Sequence, residues 1–323
     1  MRVVSQLNAC GRVGYRCRTI LALVVLALAM AGCHRNTSAG RAEPGQTTFA
    51  TPEAAAKALV EAAQSGDQQQ LLDVLGPSVK DILFTGDAAE DKADMTGFTS
   101  AYMEMNRWRR LENGDQILLV GATNTAFPVP LRKDHKGEWY FDTPAGATEL
   151  QVRRVGRNEL ATIDILASLA DAQEEYFSQA HEGTKQYARH FISDAGKQDG
   201  LYWPPVAGSP RSPVGPALAY ATEQGNTLNP SLHKPYHGYY YGVLVTQGLF
   251  ANGGLKDYMR EGKMTRGYGF IAWPAEYGKS GIMTFIINGD RIVFQKDLGK
   301  TTKDQAPFTT AFAPDGSWIR VEQ

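Results

Sequence analysis

Ser231-Leu-His-Lys234 sets a hydroxyl three residues before a lysine. On a helix that spacing lets an unprotonated lysine take the serine's proton, so that the oxygen can attack an acyl carbon. Pro235 directly after Lys234 pushes the lysine out of the helical region. No Ser-Asp-Asn follows, and Lys300-Thr301-Thr302 stands where the accompanying Lys-Thr-Gly would be. Gly278-Lys279-Ser280 and Gly299-Lys300-Thr301 end like phosphate-binding loops, but the glycine that should open each is Trp273 or Phe294. His233 and His237 have the spacing of two metal ligands on one helix turn, with Pro235 between them opposing that helix. His181 and His190, with Glu182 and Asp194, would do acid–base or metal chemistry only if the fold gathered them. No catalytic residue, cofactor site or metal site is therefore expected.

The richest cluster is aromatic. Tyr202, Trp203, Tyr236, His237, Tyr239, Tyr240, Tyr241 and Trp273 combine flat apolar faces with polar tips, which suits glycan stacking, peptide recognition or protein contact. The competing expectation is that alternate members fill the core of a strand, as a period of two requires.

Localisation is the clearest message. Arg2, Arg12, Arg16 and Arg18 precede an apolar run, Thr19 to Gly32, that stops at Cys33. A positive segment, a short apolar stretch and a small-residue cleavage site make an export signal too short for a comfortable permanent span. Met30-Ala31-Gly32-Cys33 resembles the bacterial lipoprotein consensus, with methionine in place of the usual leucine. That resemblance implies a mature chain beginning at a lipidated Cys33, and His34 after it implies sorting to the periplasmic side of the outer membrane. Several acyl chains anchor stably where one is marginal. The three cysteines are Cys10, Cys17 and Cys33, so the expected mature chain keeps no thiol for a disulfide or a metal. Losing the signal removes four arginines and no acid, taking the formal charge from −1 to −5, which does not invite nucleic acid. Stability must come from buried apolar surface, for which 43% hydrophobic residues over 323 positions give ample material.

Residues 33–50 read as a polar tether. Thr51-Pro52-Glu53 announces a helix that Gly66 ends, Asp67 caps a second through Leu75, and a third is expected from Asp87 to Arg109. The period then changes to strands over Ile117–Ala122, Phe127–Lys133 and Glu138–Asp142, the last two joined by a hairpin at Asp134-His135-Lys136-Gly137. A long helix is expected from Glu149 to Gln179, with Leu160, Ile163, Leu166, Ala167, Ala170, Tyr176 and Phe177 as its apolar stripe. A hairpin about Asn288-Gly289-Asp290 joins Ile282–Ile287 to Arg291–Phe294. The expected class is α+β, as two units over 51–146 and 147–323.

Helices followed by antiparallel strands over 51–146 resemble the nuclear-transport-factor-2-like cone, whose mouth often holds a ligand. From Thr51 to Trp318 the chain resembles the bacterial family called domain of unknown function 2950. The likeness rests on Arg154-Val-Gly-Arg-Asn-Glu-Leu160, Gly200-Leu-Tyr-Trp-Pro204, Pro235-Tyr-His-Gly-Tyr-Tyr-Tyr241, Trp273-Pro-Ala-Glu-Tyr-Gly278 and Lys296-Asp-Leu-Gly299. It implies no activity. In the second half, Asn158-Glu-Leu-Ala161, Ala172-Gln-Glu-Glu-Tyr176, Gly238-Tyr-Tyr-Tyr241 and Gly281-Ile-Met-Thr-Phe285 resemble the globular part of type IV pilins, a long helix laid across an antiparallel sheet. The chain departs from pilins where Arg153, Arg154 and Arg157 replace a membrane-spanning run. The resulting expectation is a cell-envelope lipoprotein acting as a non-catalytic binding or assembly factor, with an envelope protein or glycan as partner. The rival is a periplasmic hydrolase acting on cell-wall or glycan substrates, which a histidine within reach of a serine and an acid would favour.

Overall fold

The computed structural model describes residues 40–85, 88–181 and 183–322, so the expected signal segment and Cys33 lie outside the described residues. From Arg41 onward the chain forms one compact unit. The Thr51 hydroxyl accepts a hydrogen bond from the Ala54 amide at 3.1 Å, Pro52 fills the first turn, and Gly66 in the left-handed region (φ 68°) ends helix α1 (Pro52–Ser65). Asp67 caps α2 (Gln68–Leu75) by accepting from the amides of Gln69 and Gln70. A single turn, α3 (Lys80–Leu83), precedes α4 (Ala88–Glu104).

The helix expected to reach Arg109 stops at Glu104, and β1 (Asn106–Arg110) follows. In that segment Trp108 alone is half-buried, between exposed arginines, and it pairs with the fully buried Leu118. The strands β2 (Gln116–Val120), β3 (Thr125–Ala126), β4 (Leu131–Lys133) and β5 (Trp139–Phe141) complete an antiparallel sheet in the order β1-β2-β4-β5, with β3 against β2. The strand expected over Phe127–Lys133 begins only at Leu131, because Pro128 and Pro130 cannot donate to a ladder. The hairpin turn forms where expected: the Asp134 carboxylate accepts from the amides of Lys136 (2.8 Å) and Glu138 (3.0 Å). The folded part starts before Thr51, within the stretch expected as tether. Phe49 and Trp139 exchange two 2.7 Å backbone bonds, and the buried Gln46 amide donates to the carbonyls of Val74 and Phe141.

The longest element is α5 (Thr143–Ser178), 36 residues and about 54 Å at 1.5 Å per residue. It begins six residues before the expected Glu149, because Asp142 caps it and Pro144 occupies the first turn. Arg132 of β4 holds that cap: its guanidinium pairs with Asp142 and, at 2.9 Å, with Asp115, both nearly buried. The bond to Asp115 is the main reason the Arg132 pKa lies above its ordinary value. The apolar stripe is only partly the expected one. Leu166 and Ala170 are fully buried and Ile163 packs at the margin of the core, but Leu160 is 66% exposed. The buried face runs through Val155, Asn158, Thr162, Leu166, Leu169, Gln173 and Tyr176. Its polar members are satisfied: Asn158 donates to the Ser280 carbonyl at 2.8 Å, Thr162 to the Asn158 carbonyl, and Gln173 both donates to and accepts from the Ala188 backbone at 2.8 Å.

Beyond α5 come the small hairpin β6 (Ala180–His181) and β7 (Thr184–Lys185), then α6 (Pro216–Tyr220) and α7 (Glu223–Leu228). Next are β8 (Tyr239–Leu244), β9 (Thr246–Gln247), β10 (Lys256–Asp257), β11 (Met259–Arg260) and β12 (Lys263–Met264). The remainder is β13 (Gly269–Pro274), β14 (Met283–Asn288), β15 (Phe294–Asp297), α8 (Thr302–Gln305), β16 (Ala311–Phe312) and β17 (Ile319–Arg320). The main sheet is antiparallel, in the order β17-β15-β14-β13-β8. Tyr239, Tyr241, Phe270, Phe285 and Ile287 share a core with Leu166, Leu169 and Ala170 of α5. Leu244, Ile271, Trp273 and Ile286 point the other way, onto Ala306 and Phe312. Both sheet faces are therefore covered, and all six residues of β13 are buried.

The Asn288-Gly289-Asp290 turn is present, but the returning strand starts at Phe294, not Arg291. Arg291 sits outside the ladder with φ 61° and reaches Asp171 of α5 at 2.7 Å, which pins the hairpin to the helix. The class is α+β, helices packed with antiparallel sheets.

Two stability outcomes follow from the long helix. Leu166→Ala should cost about 2–5 kcal/mol in chemical denaturation, whereas Leu160→Ala should stay within about 0.5 kcal/mol. Equal costs would contradict the assigned buried face. Arg132→Met should cost about 3 kcal/mol, the lower end for a broken buried pair because the arginine is partly exposed, since Asp115 and Asp142 lose their counter-charge.

Candidate functional site

A cavity of about 330 Å³ opens in the first core. Leu59 and Ala63 of α1, Leu71 and Leu75 of α2, Met95 and Phe98 of α4, and the Phe127–Val129 segment make its walls. Met95 and Phe98 are only half-buried because they face this space. The remaining wall is the start of α5. Leu150, Arg153, Arg154 and Arg157 stand at positions i, i+3, i+4 and i+7 on one helix face, and all four line the cavity. Gly146 lets α5 come close: a Cβ there would lie 2.7 Å from the Pro128 carbonyl oxygen and 2.8 Å from the Val129 Cα.

The walls are apolar and the rim is charged. Arg157 of α5 meets Asp94 of α4 at 2.6 Å, across the rim, with both side chains about half exposed. Arg153 pairs with Glu149 at 2.7 Å and donates to the Ala126 carbonyl. Arg154 donates to the Asp81 carbonyl at 3.2 Å, while its buried Nε has no hydrogen-bond partner. The second carboxylate of the rim, Asp91, is buried and accepts from the amide and hydroxyl of Thr85. Such a space can take up an apolar group of small-molecule size and hold a polar end at the arginines.

The aromatic set splits between core and margin. Tyr239, Tyr241, Trp203 and Trp273 are buried, so their faces are packed inside the protein and do not form part of a surface. The Tyr239 hydroxyl donates to the Met283 carbonyl (2.9 Å), that of Tyr241 to the Tyr236 carbonyl, and the Trp203 indole to the Pro210 carbonyl. Burial raises the pKa of both tyrosines. Tyr202, Tyr236 and His237 are half-buried, with Tyr236 and His237 edge to face at 4.6 Å. The alternation of β8 accounts for the division, with Tyr240 on the opposite face. Gly281 completes this packing, because a Cβ there would fall 2.1 Å from the Tyr239 hydroxyl oxygen.

Ser231 and Lys234 lie after the end of α7, in a turn and the exposed stretch beyond it, and the Ser231 hydroxyl donates to the Asn229 side chain at 2.6 Å. His233 stacks on Tyr240 at 4.5 Å, and burial lowers its pKa. His181 stacks on Tyr176. His190 lies 3.9 Å from Asp199, and burial outweighs that carboxylate to lower its pKa. Glu182 lies outside the described residues, and among those described no three His, Cys, Asp or Glu side chains gather as metal ligands.

The cavity is harder to read from sequence than the aromatic set. Its signal is three arginines within five positions on one face of a helix that follows an alanine- and leucine-rich helix pair. That arrangement becomes recognisable only once the helices are placed around the sheet.

Neither a curated protein nor a solved structure matches the chain. The family model described as protein of unknown function (DUF2950) matches residues 46–321. That span includes the first core with its cavity, the whole of α5 and the second sheet, so the chain belongs to this family.

Proposed function

We propose that the protein is a non-catalytic binding factor of the bacterial cell envelope, held by lipid on Cys33 at the periplasmic side of the outer membrane. The observation that carries the binding role is the apolar cavity with an arginine rim. Its volume is at the lower end for small-molecule sites, and its walls are mostly leucine, valine, alanine and phenylalanine, with polar groups confined to one side. The location rests on the lipobox of the sequence. The nuclear-transport-factor-2-like reading of 51–146 makes the cavity the mouth of the cone. The pilin-like reading of 147–323 makes the second sheet and α5 a rigid support that gives the mouth a fixed wall, through which an envelope protein or glycan partner is engaged.

Two measurements test this. The neutral fluorophore N-phenyl-1-naphthylamine should bind the purified protein at one site. Ala63→Phe, which fills the cavity from α1, should abolish that binding and leave the melting temperature unchanged or higher. Undiminished binding by the filled variant would remove the cavity from the function. Cys33→Ser should move the protein from membranes to the soluble periplasmic fraction and remove the acyl mass from the N-terminal peptide, whereas unchanged fractionation would end the anchoring half of the reading.

A further inference from the structure

We infer that the cavity takes a single-chain amphiphile with an anionic head, and that the head binds by displacing Asp94 from Arg157. The inference rests on the binding role proposed above and names the ligand class. The cavity, about 330 Å³ and lined over most of its surface by apolar side chains, suits a single alkyl chain whose polar end stays at the rim. The wall offers such a chain apolar contact and almost no hydrogen-bonding group. Charge selects the head. Three guanidinium groups line the space against two carboxylates, and one of those, Asp91, is occupied by Thr85.

The arginines differ in availability. Arg153 is held by Glu149 and a carbonyl. Among the described residues no carboxylate pairs with Arg154, and its buried Nε–H lacks an acceptor. A buried donor left unmade is costly, and an oxygen of a carboxylate or phosphate is the group that relieves it. Arg157 is paired with Asp94, but that pair is half exposed, a class that contributes little because water screens it, so an incoming anion exchanges for it at little cost. The exchange also frees α4 from α5 at the place where the chain must enter. Asp94 is thus an internal competitor that occupies the head site and closes the rim when no ligand is bound.

Displacement of N-phenyl-1-naphthylamine by dodecanoate, dodecyl phosphate, dodecanol and dodecyltrimethylammonium tests this on the full soluble chain. Dodecanoate and dodecyl phosphate should bind tighter than dodecanol, and the trimethylammonium compound weakest. Which of the two anions binds better tells a free fatty carboxylate from a lipid phosphate. Asp94→Asn should tighten both anions several-fold and leave dodecanol unchanged. Arg157→Gln, at a half-exposed position that leaves the fold intact, should weaken the anions about tenfold to a hundredfold, the loss of one charge-assisted contact. Arg154→Gln should act in the same direction.

Equal binding of dodecanol and the anions, or anion affinity indifferent to Arg157→Gln, would overturn the anionic head while leaving the cavity reading intact. Anion binding that is unchanged or weaker in Asp94→Asn would overturn the competitor role. Failure of every amphiphile and of the fluorophore would defeat the cavity reading itself.

Discussion

One helix serves two cores, and that constraint organises the molecule. An isolated helix of 36 residues with polar groups scattered around it has no reason to stand in one orientation; α5 is held because each part of it is gripped by something different. At its start the Thr143 hydroxyl reaches the Leu75 carbonyl and Asp142 is clasped by Arg132. Two to four turns further on, Leu150 and the arginines face the first core. In the middle, Asn158 donates to Ser280, and the Glu159 carboxylate accepts from the amides of Ile282 and Met283 at 2.8 and 3.0 Å, which fixes where β14 begins. The last turns bury Leu166, Leu169, Ala170 and Tyr176.

The run Arg154-Val-Gly-Arg-Asn-Glu-Leu160 lies at the crossover between the two cores. Within seven residues it turns arginines to the cavity, buries Val155 and Asn158, the latter against Ser280, and turns Leu160 to solvent. Successive side chains on a helix are about 100° apart, so so short a segment can address three directions at once. Anything that alters the cavity wall at Arg157 is one residue from the contact that seats Ser280. Gly238, whose added Cβ would meet the Asn158 amide at 2.4 Å, shows how little room that seat leaves.

Much of the local structure is legible in the residues, because caps and turns are local chemistry: Thr51-Pro52, Asp67 and the Asp134 turn form as their types require. The errors share a cause. The residues carry α4 on through Arg109 because its end holds no glycine or proline, and they place Leu160 in the core because an apolar stripe does not show which polar residues find partners. Asn158 and Gln173 are buried because backbone groups of Ser280 and Ala188, outside their own helix, satisfy them, and no window along the helix contains that information. The cavity is harder still. A void is an absence of side chains where several helices and a sheet meet, whereas a row of tyrosines announces itself in the sequence and is then largely consumed by packing.

The edge strand β1 carries a consequence of its own. Among the described residues it pairs only with β2, which leaves one row of its backbone amides and carbonyls outside the ladder. Open edges recruit further strands, a neighbouring copy of the same chain among them. Arg107, Arg109 and Arg110 project from that edge, all exposed. Like charges brought edge to edge repel, so a second copy adding to this strand would meet its own three arginines, and that charge keeps the first sheet from growing by addition of a neighbour.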